Sequence, residues 1–217
     1  MTVALTGRCA FRFWLAGATV STLGDSLGFF ALSWVAAGHG PGVASLVLTV
    51  ESVPLCLLIL VGGAVADRFG IRAVMIGCDA FMVAVTALFA LGALVAVPVW
   101  SLVAVALLSG IAAALRRPAA LVFPRMFATG DELSRTMATT TLCQQLAQTA
   151  GPSVGGVLLA AGGLALTAGV DATSFLLVLV VLLAVRPPLE PPASEPGTSI
   201  GRALAAGLAA ARRTPGA

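Results

Sequence analysis

Six long apolar runs joined by short connections limit what this chain can fold into. A helix needs roughly 20 mostly apolar residues to cross a bilayer, and apolar residues fill 59% of the 217 positions. Charged residues fill only 10%, whereas a soluble domain carries about a quarter. The sequence therefore predicts an all-α membrane protein with six transmembrane helices, over approximately 12–37, 43–66, 73–95, 98–115, 136–160 and 164–185.

The basic residues indicate how these runs cross the membrane. The chain has no Lys, so Arg provides all 12 basic side chains. Cytoplasmic connections carry an excess of basic residues, and the Arg residues fall before the first run, after the sixth and in two alternate connections. We therefore expect an even number of spans and both termini in the cytoplasm. The residues are Arg8, Arg12, Arg68, Arg72, Arg116, Arg117, Arg125, Arg135, Arg186, Arg202, Arg212 and Arg213.

The composition divides the chain into three regions. Residues 1–11 are expected to form a cytoplasmic N-terminus, and residues 12–185 the six-helix transmembrane bundle. From Arg186 the chain becomes a Pro-rich linker, which favours an extended conformation. An Ala- and Leu-rich segment follows and is predicted to form a short helix at the membrane surface. Residues 186–217 are therefore expected to be a cytoplasmic connection.

The connection between the second and third runs is short and charged. So few residues between two spans predict a tight antiparallel helical hairpin. Gly70 suits a turn position where a Cβ would clash, and Asp67 and Arg68 lie where the second helix leaves the hydrocarbon. One interpretation is a generic loop whose basic residues only set the topology. The alternative rests on the spacing of five residues: Gly63, Asp67, Arg68, Gly70 and Arg72.

This spacing resembles the loop signature of the major facilitator superfamily, found between its second and third transmembrane helices. The signature has two basic residues after its last Gly, whereas this chain has Ile71 followed by Arg72. The resemblance implies that the loop gates the cytoplasmic side through charge contacts. It also implies a transporter of twelve helices in two similar halves, of which this chain supplies the N-terminal six-helix half.

Acidic residues lie inside the first two runs. Asp25 is near the middle of the first, where an ionised carboxylate costs roughly 2.5–3.5 kcal/mol on insertion scales, and Glu51 is in the outer part of the second. One interpretation is that Asp25 carries a proton or contacts a cationic substrate, with Glu51 as a partner. The other is a buried, hydrogen-bonded Asp that fixes helix packing. The sequence leaves open whether the two carboxyl groups face each other.

Other charged residues are expected nearer the membrane surfaces. Arg116 and Arg117, with Pro118, are predicted to end the fourth span at its cytoplasmic face. Asp79 lies close to the cytoplasmic end of the third run, so we expect it to pair with a loop Arg. Asp171 is expected near the outer end of the sixth span, within reach of the interface.

The fifth run combines amides with a Gly- and Pro-rich motif. Gln144 and Gln148 belong to a polar stripe, and uncharged amides suit a cavity wall that contacts varied ligands. Pro152 removes one helical hydrogen bond and kinks the helix, while the glycines leave a groove for a neighbouring helix. An ordinary close-packed Gly face would have the same composition. The motif residues are Gly151, Pro152, Gly155 and Gly156.

This motif resembles the Gly-xxx-Gly-Pro-xx-Gly-Gly pattern of facilitators that export their substrates, with Ala147 in place of the first Gly. Asp171-Ala-Thr-Ser174-Phe175 resembles the branch related to enterobactin and macrolide efflux proteins. The resemblance implies a secondary active transporter of the bacterial plasma (inner) membrane, an antiporter that exports a drug, a siderophore or another small amphipathic compound. Ala106 occupies the place of an Arg found in many proton-coupled facilitators, which argues against a mechanism that uses that Arg.

A lone half would expose its polar face to lipid, including Asp25 and Gln144, and unpartnered polar groups there are costly. The sequence stops before a seventh span, so we expect a fragment of a longer transporter, or a bundle covered by a second six-helix half or a second copy. The alternative function is a non-transporting six-helix membrane protein that binds a partner or is inactive.

Other protein classes have little support from the sequence. The one His, His39, lies in an external loop, and neither a Gly-x-Ser-x-Gly motif nor a cluster of metal ligands accompanies it. Because the chain lacks Lys, it has no Gly-x-x-x-x-Gly-Lys loop for ATP. The sequence therefore predicts no enzyme, no cofactor, no metal and no nucleic-acid partner; the expected partners are the lipid bilayer and a small-molecule substrate.

Overall fold

Helices form almost all of the part of the chain that the structure describes. The structure is a computed structural model that describes residues 7–185, except the side chains of Arg8, Leu60 and Asp131. The predicted linker and surface helix in residues 186–217 lie outside this range. The helices are α1 (Gly7–Gly38), α2 (Pro41–Phe69), α3 (Ile71–Ala93), α4 (Val99–Val122), a 3-10 turn (Phe123–Met126) and α5 (Asp131–Ala184).

Five of these helices are long and apolar enough to cross a membrane, as counted within residues 7–185. The last of the five spans, Glu132–Ala184, has 53 residues. At 1.5 Å per residue a straight helix of that length would measure about 80 Å, whereas the hydrocarbon core is about 30 Å thick. The helix is interrupted at Gly162 (φ −147°, ψ 17°) and Gly163 (φ 67°, ψ −165°). The sequence placed the connection between the fifth and sixth spans at this point.

Contacts with α1 show that α5 reverses its direction at these two glycines. We call residues 131–161 the first arm and residues 164–184 the second arm. Along the first arm, later residues of α5 contact later residues of α1. Along the second arm, later residues of α5 contact earlier residues of α1. The described chain therefore passes the bundle six times. The contacting pairs are Ser26 with Gly151 and Phe30 with Gly156 on the first arm, and Gly17 with Val181 and Gly28 with Asp171 on the second.

Gly70 forms the predicted hairpin between α2 and α3. Its φ is 90° and its ψ is 136°, and its N–H donates to the carbonyl oxygen of Ala66 at 2.9 Å. A Cβ on Gly70 would meet no other atom within 4 Å. The position therefore needs glycine because of its positive φ, not because neighbouring atoms crowd it as the sequence analysis assumed.

The fourth helix is longer than the sequence predicted. Arg116, Arg117 and Pro118 do not end it, because α4 continues to Val122 and then into the 3-10 turn. An interior proline removes one helical hydrogen bond, which here is the bond to the carbonyl of Ala114. Two Arg residues predicted for a cytoplasmic loop therefore lie inside a helix.

Apolar clusters fill both ends of the bundle. At the end that carries Gly70, Trp14 and Phe123 are fully buried together with Met75 and Leu182. At the end that carries Gly163, a second cluster includes Ala31, Val47, Leu102 and Ala106. Ala106, the position that the sequence analysis compared with an Arg of the resembling family, is completely buried.

Glycines allow α2 and α4 to approach each other closely. A Cβ on Gly62 would overlap the carbonyl oxygen of Ala114, and a Cβ on Gly110 would overlap the carbonyl oxygen of Glu51. The Ala114 carbonyl is the one that Pro118 leaves without a helical donor, so Gly62 brings a Cα–H group to it, a weak but recurring contact between helices.

Adjacent glycines in α2 provide a test of this packing. We expect Gly62→Ala to lower the free energy of unfolding by about 1–3 kcal/mol, because the new methyl group forces the helix backbones apart. Gly63→Ala is the matched control, because a Cβ there meets no atom within 4 Å. It should be neutral or stabilising by up to about 1 kcal/mol, since Ala is the better helix former. Equilibrium unfolding in mixed micelles measures both; equal losses would contradict the packing.

Candidate functional site

Charged side chains from all five helices meet between the two apolar clusters. We call them the central charged cluster. Asp25 interacts electrostatically with several members of the cluster. Arg116 and Arg117 lie within electrostatic range of Asp25, and the Asp25 charge acts in turn on Glu51. The cluster contains four carboxyl groups and two guanidinium groups. The members are Asp25 of α1, Glu51 of α2, Asp79 of α3, Arg116 and Arg117 of α4, and Asp171 of α5.

Asp79 and Arg116 form a buried ion pair. Nε of Arg116 lies 2.5 Å from Oδ1 of Asp79, and the Asp79 side chain is completely buried. Neither carboxylate oxygen meets hydrogen-bond geometry with a described residue, so charge proximity holds the pair together. Nη2 of Arg116 donates weakly to the Ser21 hydroxyl at 3.4 Å. An Arg partner for Asp79 was predicted, although the partner belongs to a helix and not to a loop.

Asp25 and Glu51 lie on the open side of the cluster. The Asp25 side chain is exposed, Glu51 is half-buried and Arg117 is exposed. The Asp25 charge acts on Glu51, and the Arg117 charge acts on both. The two predicted carboxyl groups therefore belong to one electrostatic unit on the surface of this bundle.

Asp171 lies deeper than the sequence predicted. It was expected near the outer interface, but it is only 6% exposed and packs on α1. Its Oδ2 is 3.1 Å from the place of a Cβ on Gly28, and its Oδ1 is 2.8 Å from that of Gly24. The Ser174 hydroxyl donates to the Asp171 carbonyl oxygen at 2.8 Å and lies 3.5 Å from Oδ1. The two glycines therefore leave space for a carboxyl group within a helix contact.

The first arm of α5 packs on the next face of α1. Pro152 has no N–H to donate to the carbonyl oxygen of Gln148, and the Ser26 hydroxyl donates to that oxygen instead at 2.9 Å. A Cβ on Gly151 would overlap the Ser26 side chain, and one on Gly155 would lie 2.9 Å from the Leu27 carbonyl oxygen. These two glycines of the export-type motif are thus required for the contact.

The remaining predicted residues of this arm are less constrained. A Cβ on Gly156 would only reach ordinary contact with Phe30 at 3.6 Å. Gln148 is exposed and Gln144 is half-buried. Because Ser26 binds the backbone of Gln148, that backbone lies next to the α1 turn that carries Asp25.

The predicted gating loop contacts the end of α5 through one side chain. Nε and Nη2 of Arg72 donate to the carbonyl oxygen of Leu182 at 3.0 and 2.6 Å, and Nη2 also donates to that of Leu183 at 3.1 Å. The last carbonyls of a helix have no donor within the helix, so Arg72 caps α5. Asp67 and Arg68 are exposed, and the Arg68 guanidinium lies 5.5 Å from the Phe69 ring centroid.

The chemistry available to the central charged cluster is that of protons and cations. Carboxyl groups outnumber guanidinium groups, and a net negative charge inside a membrane is costly. Within residues 7–185, His, Cys, Asp and Glu side chains do not gather in a group that could hold a metal ion. Protons, or a cationic group of a bound compound, are therefore the partners that this charge pattern fits.

Sequence reasoning missed the part that Arg116, Arg117 and Asp171 take in this cluster. An available signal was the apolar stretch after Pro118, which lengthens the fourth helix past both Arg residues. For Asp171 the signal was the pair Gly24 and Gly28, spaced by one helical turn on a helix that must pack closely. Neither signal identifies its partner without the structure.

The cap formed by Arg72 gives a testable difference between two Arg residues of the loop. We expect Arg72→Gln to lower the free energy of unfolding by about 1.5–3 kcal/mol, because hydrogen bonds from a charged donor to the α5 carbonyls are lost. Arg68→Gln is the control and should cost at most about 1 kcal/mol, the value of an exposed cation–π contact. Unfolding in mixed micelles compares them, and equal effects would contradict the cap.

The buried ion pair predicts strong non-additivity. Arg116→Leu should lower the free energy of unfolding by about 3–5 kcal/mol, because Asp79 is left as an unpaired buried charge. The double variant Asp79→Leu with Arg116→Leu should recover most of that loss. A double-mutant cycle from the same unfolding measurement gives the coupling. An Arg116→Leu protein as stable as the wild type would show that Asp79 needs no cation.

Comparison with known proteins identifies a family. The family model MFS_3, described as transmembrane secretion effector, matches residues 4–215. None of the curated proteins matches the chain significantly. The match covers nearly the whole sequence, including the hairpin loop, the Gly- and Pro-rich motif of the first arm and the central charged cluster. The chain therefore belongs to the transmembrane secretion effector family of the major facilitator superfamily.

Proposed function

We propose that this protein is a secondary active transporter that exports a small amphipathic compound, such as a drug or a siderophore, in exchange for protons. Family membership supports secretion or efflux as the general activity. The observation that carries the proposal further is the charge of the central cluster, in which four carboxyl groups accompany two guanidinium groups. Proton uptake or a cationic substrate would balance the excess carboxylate.

Asp25 is the residue we assign to proton or substrate contact. It is exposed on the open side of the cluster, where a substrate and a proton have access. Arg116 and Arg117 lie within electrostatic range of its carboxyl group, and the Asp25 charge acts in turn on Glu51. Protonation of Asp25 and binding of a cationic group would therefore compete for the same negative charge, which is the requirement for exchanging one for the other.

The amides of Gln144 and Gln148 are proposed to contact the substrate. Gln148 is exposed and its backbone is bound by Ser26 of α1, and Gln144 lies one helical turn before it on the same face of the first arm. Amides both donate and accept hydrogen bonds without requiring a fixed charge. They fit a cavity wall that accepts different amphipathic compounds, with Asp25 supplying the electrostatic contact.

Gating is proposed to occur at the end of the bundle that carries Gly70. Arg72 ties the start of α3 to the end of α5, so the loop and the second arm move as one body. Asp67 and Arg68 lie exposed at this end of the bundle, and their charges are proposed to take part in closing the cytoplasmic side. Gly63, Gly151, Pro152, Gly155 and Gly156 shape the helices that rock around the site.

A second six-helix bundle is proposed to cover the open face of this one. Exposed polar groups such as Asp25 and Gln148 would otherwise face lipid, at a cost for every group without a partner. The second bundle is either a C-terminal half or a second copy, and alternating access then follows from rocking of the two bundles. The Arg distribution supports cytoplasmic termini, and we place the protein in a bacterial inner membrane.

Transport driven by a pH gradient tests the role of Asp25. In everted vesicles from an efflux-deficient bacterium expressing the gene, acidification of the lumen should drive uptake of a lipophilic cationic dye. Asp25→Asn should reduce this uptake at least about tenfold, because the side chain that exchanges its proton is lost. Asp25→Glu retains a carboxyl group and is the control that should keep most of the activity.

Two results would count against the proposal. Undiminished pH-driven uptake with Asp25→Asn would remove Asp25 from the mechanism. Absence of uptake by the wild-type protein, with a panel of amphipathic dyes and with correct membrane insertion, would favour the alternative of a non-transporting membrane protein that binds a partner.

A further inference from the structure

Phe29 is an exposed aromatic residue that lies one helical turn after Asp25 on α1. Residues four apart on a helix lie on one face, with about 5–6 Å between their Cβ atoms. Phe29 is 44% exposed, and Asp25 is exposed as well. The ring of Phe29 and the carboxyl group of Asp25 therefore share the open side of α1.

Residues next to Phe29 in the sequence are occupied by contacts within the bundle. The Ser26 hydroxyl binds the first arm of α5, and Phe30 stacks on Trp34 with ring centroids 5.8 Å apart. In contrast, within residues 7–185 neither an aromatic ring nor a guanidinium group packs on Phe29. The face of the Phe29 ring is therefore available to a bound compound.

The connection between α1 and α2 places a second carboxyl group at the depth of this ring. The first helix ends at Gly38 and the second begins at Pro41. At 1.5 Å per residue, Phe29 and Glu51 each lie about 14–15 Å from this connection, and Asp25 lies about 6 Å deeper. A compound that moves between Asp25 and the outer end of the bundle therefore passes the Phe29 ring.

A carboxylate and a ring at this spacing can bind the same cation. A cationic nitrogen over an aromatic face is attracted when it lies within about 6 Å of the ring centroid. The attraction to a carboxylate alone does not distinguish cations of equal charge and similar size. The ring does distinguish them, because a strongly hydrated cation must lose water to contact it, whereas a quaternary ammonium group holds its water weakly.

We propose that Phe29 determines which cations this transporter accepts, because its ring contacts the same ammonium group that the Asp25 carboxylate attracts. The inference rests on the proposed export function, and it narrows the substrate class to organic compounds with a quaternary or substituted ammonium group. A proton competes for the Asp25 carboxylate but not for the ring. Protonation of Asp25 therefore leaves the ammonium group with the ring alone, a weaker contact from which the compound is released.

Equilibrium binding to the purified protein in lipid nanodiscs at neutral pH tests this assignment. The probes are a radiolabelled phenylalkyl-trimethylammonium compound and its neutral isostere, in which carbon replaces the nitrogen. We expect Phe29→Leu, which keeps an apolar side chain but removes the ring, to raise the dissociation constant of the cationic probe by about 3- to 30-fold. The dissociation constant of the neutral isostere should change by less than about twofold, because the apolar contact is retained.

Two further variants make the measurement specific to the ring. Phe29→Trp restores an aromatic face, and Trp forms the strongest cation–π contacts, so this variant should bind the cationic probe at least as tightly as the wild type. Phe13→Leu is the matched control on the same helix. Phe13 is 55% exposed, but it lies about 24 Å from Phe29 along the helix axis, so its replacement should leave both dissociation constants unchanged.

The outcomes separate this inference from the proposed function. An unchanged affinity for the cationic probe in Phe29→Leu, an equal loss for both probes, or a wild-type protein without preference for the cationic probe would overturn the inference, while pH-driven uptake of dye by the wild type would still stand. If Phe29→Leu selectively weakens the cationic probe but the wild-type protein transports no dye, the ammonium site stands and the transport function fails.

Discussion

A carbonyl group that loses its helical donor inside a membrane must find another one, and this bundle is arranged around such groups. Pro152 leaves the Gln148 carbonyl without a donor, and the Ser26 hydroxyl supplies one. The end of α5 leaves the Leu182 carbonyl without a donor, and Arg72 supplies it. Because hydrocarbon offers no substitute for these donors, each replacement fixes a helix contact at one register.

These contacts give α1 its place between the two arms of α5. One face of α1 binds the first arm through Ser26, and another packs Gly24 and Gly28 against the second arm around Asp171. Asp25 follows Gly24 in the same turn. A change of charge at Asp25 therefore acts on a helix that is fixed to both arms, and a rotation of α1 moves them together. A rigid body of this kind is what rocking-type alternating access requires.

Sequence patterns predicted the helical segments that cross the bundle, but they did not predict which charged side chains interact. Apolar length located all six runs, and the Gly spacing in the fifth run identified a close-packed helix. Hydropathy failed at Arg116 because it treats an Arg as the end of a span, whereas Asp79 neutralises that Arg within the bundle. Hydropathy failed at Asp171 for a related reason. Glycines that are distant in the sequence create the space for the carboxyl group, and only the fold brings them close to Asp171.

The Asp79–Arg116 pair also bears on the exchange that we propose for Asp25. Asp79 is completely buried and occupies Arg116 at 2.5 Å, so Arg116 reaches Asp25 only through its longer-range field. Asp25 is therefore attracted by two guanidinium groups but bound by neither, and its negative charge stays available on the open face. A direct Arg116–Asp25 pair would be stronger and would hold the carboxylate ionised through every step. Under the proposed function, the fixed Asp79–Arg116 pair thus leaves Asp25 responsive to a proton or a cationic substrate.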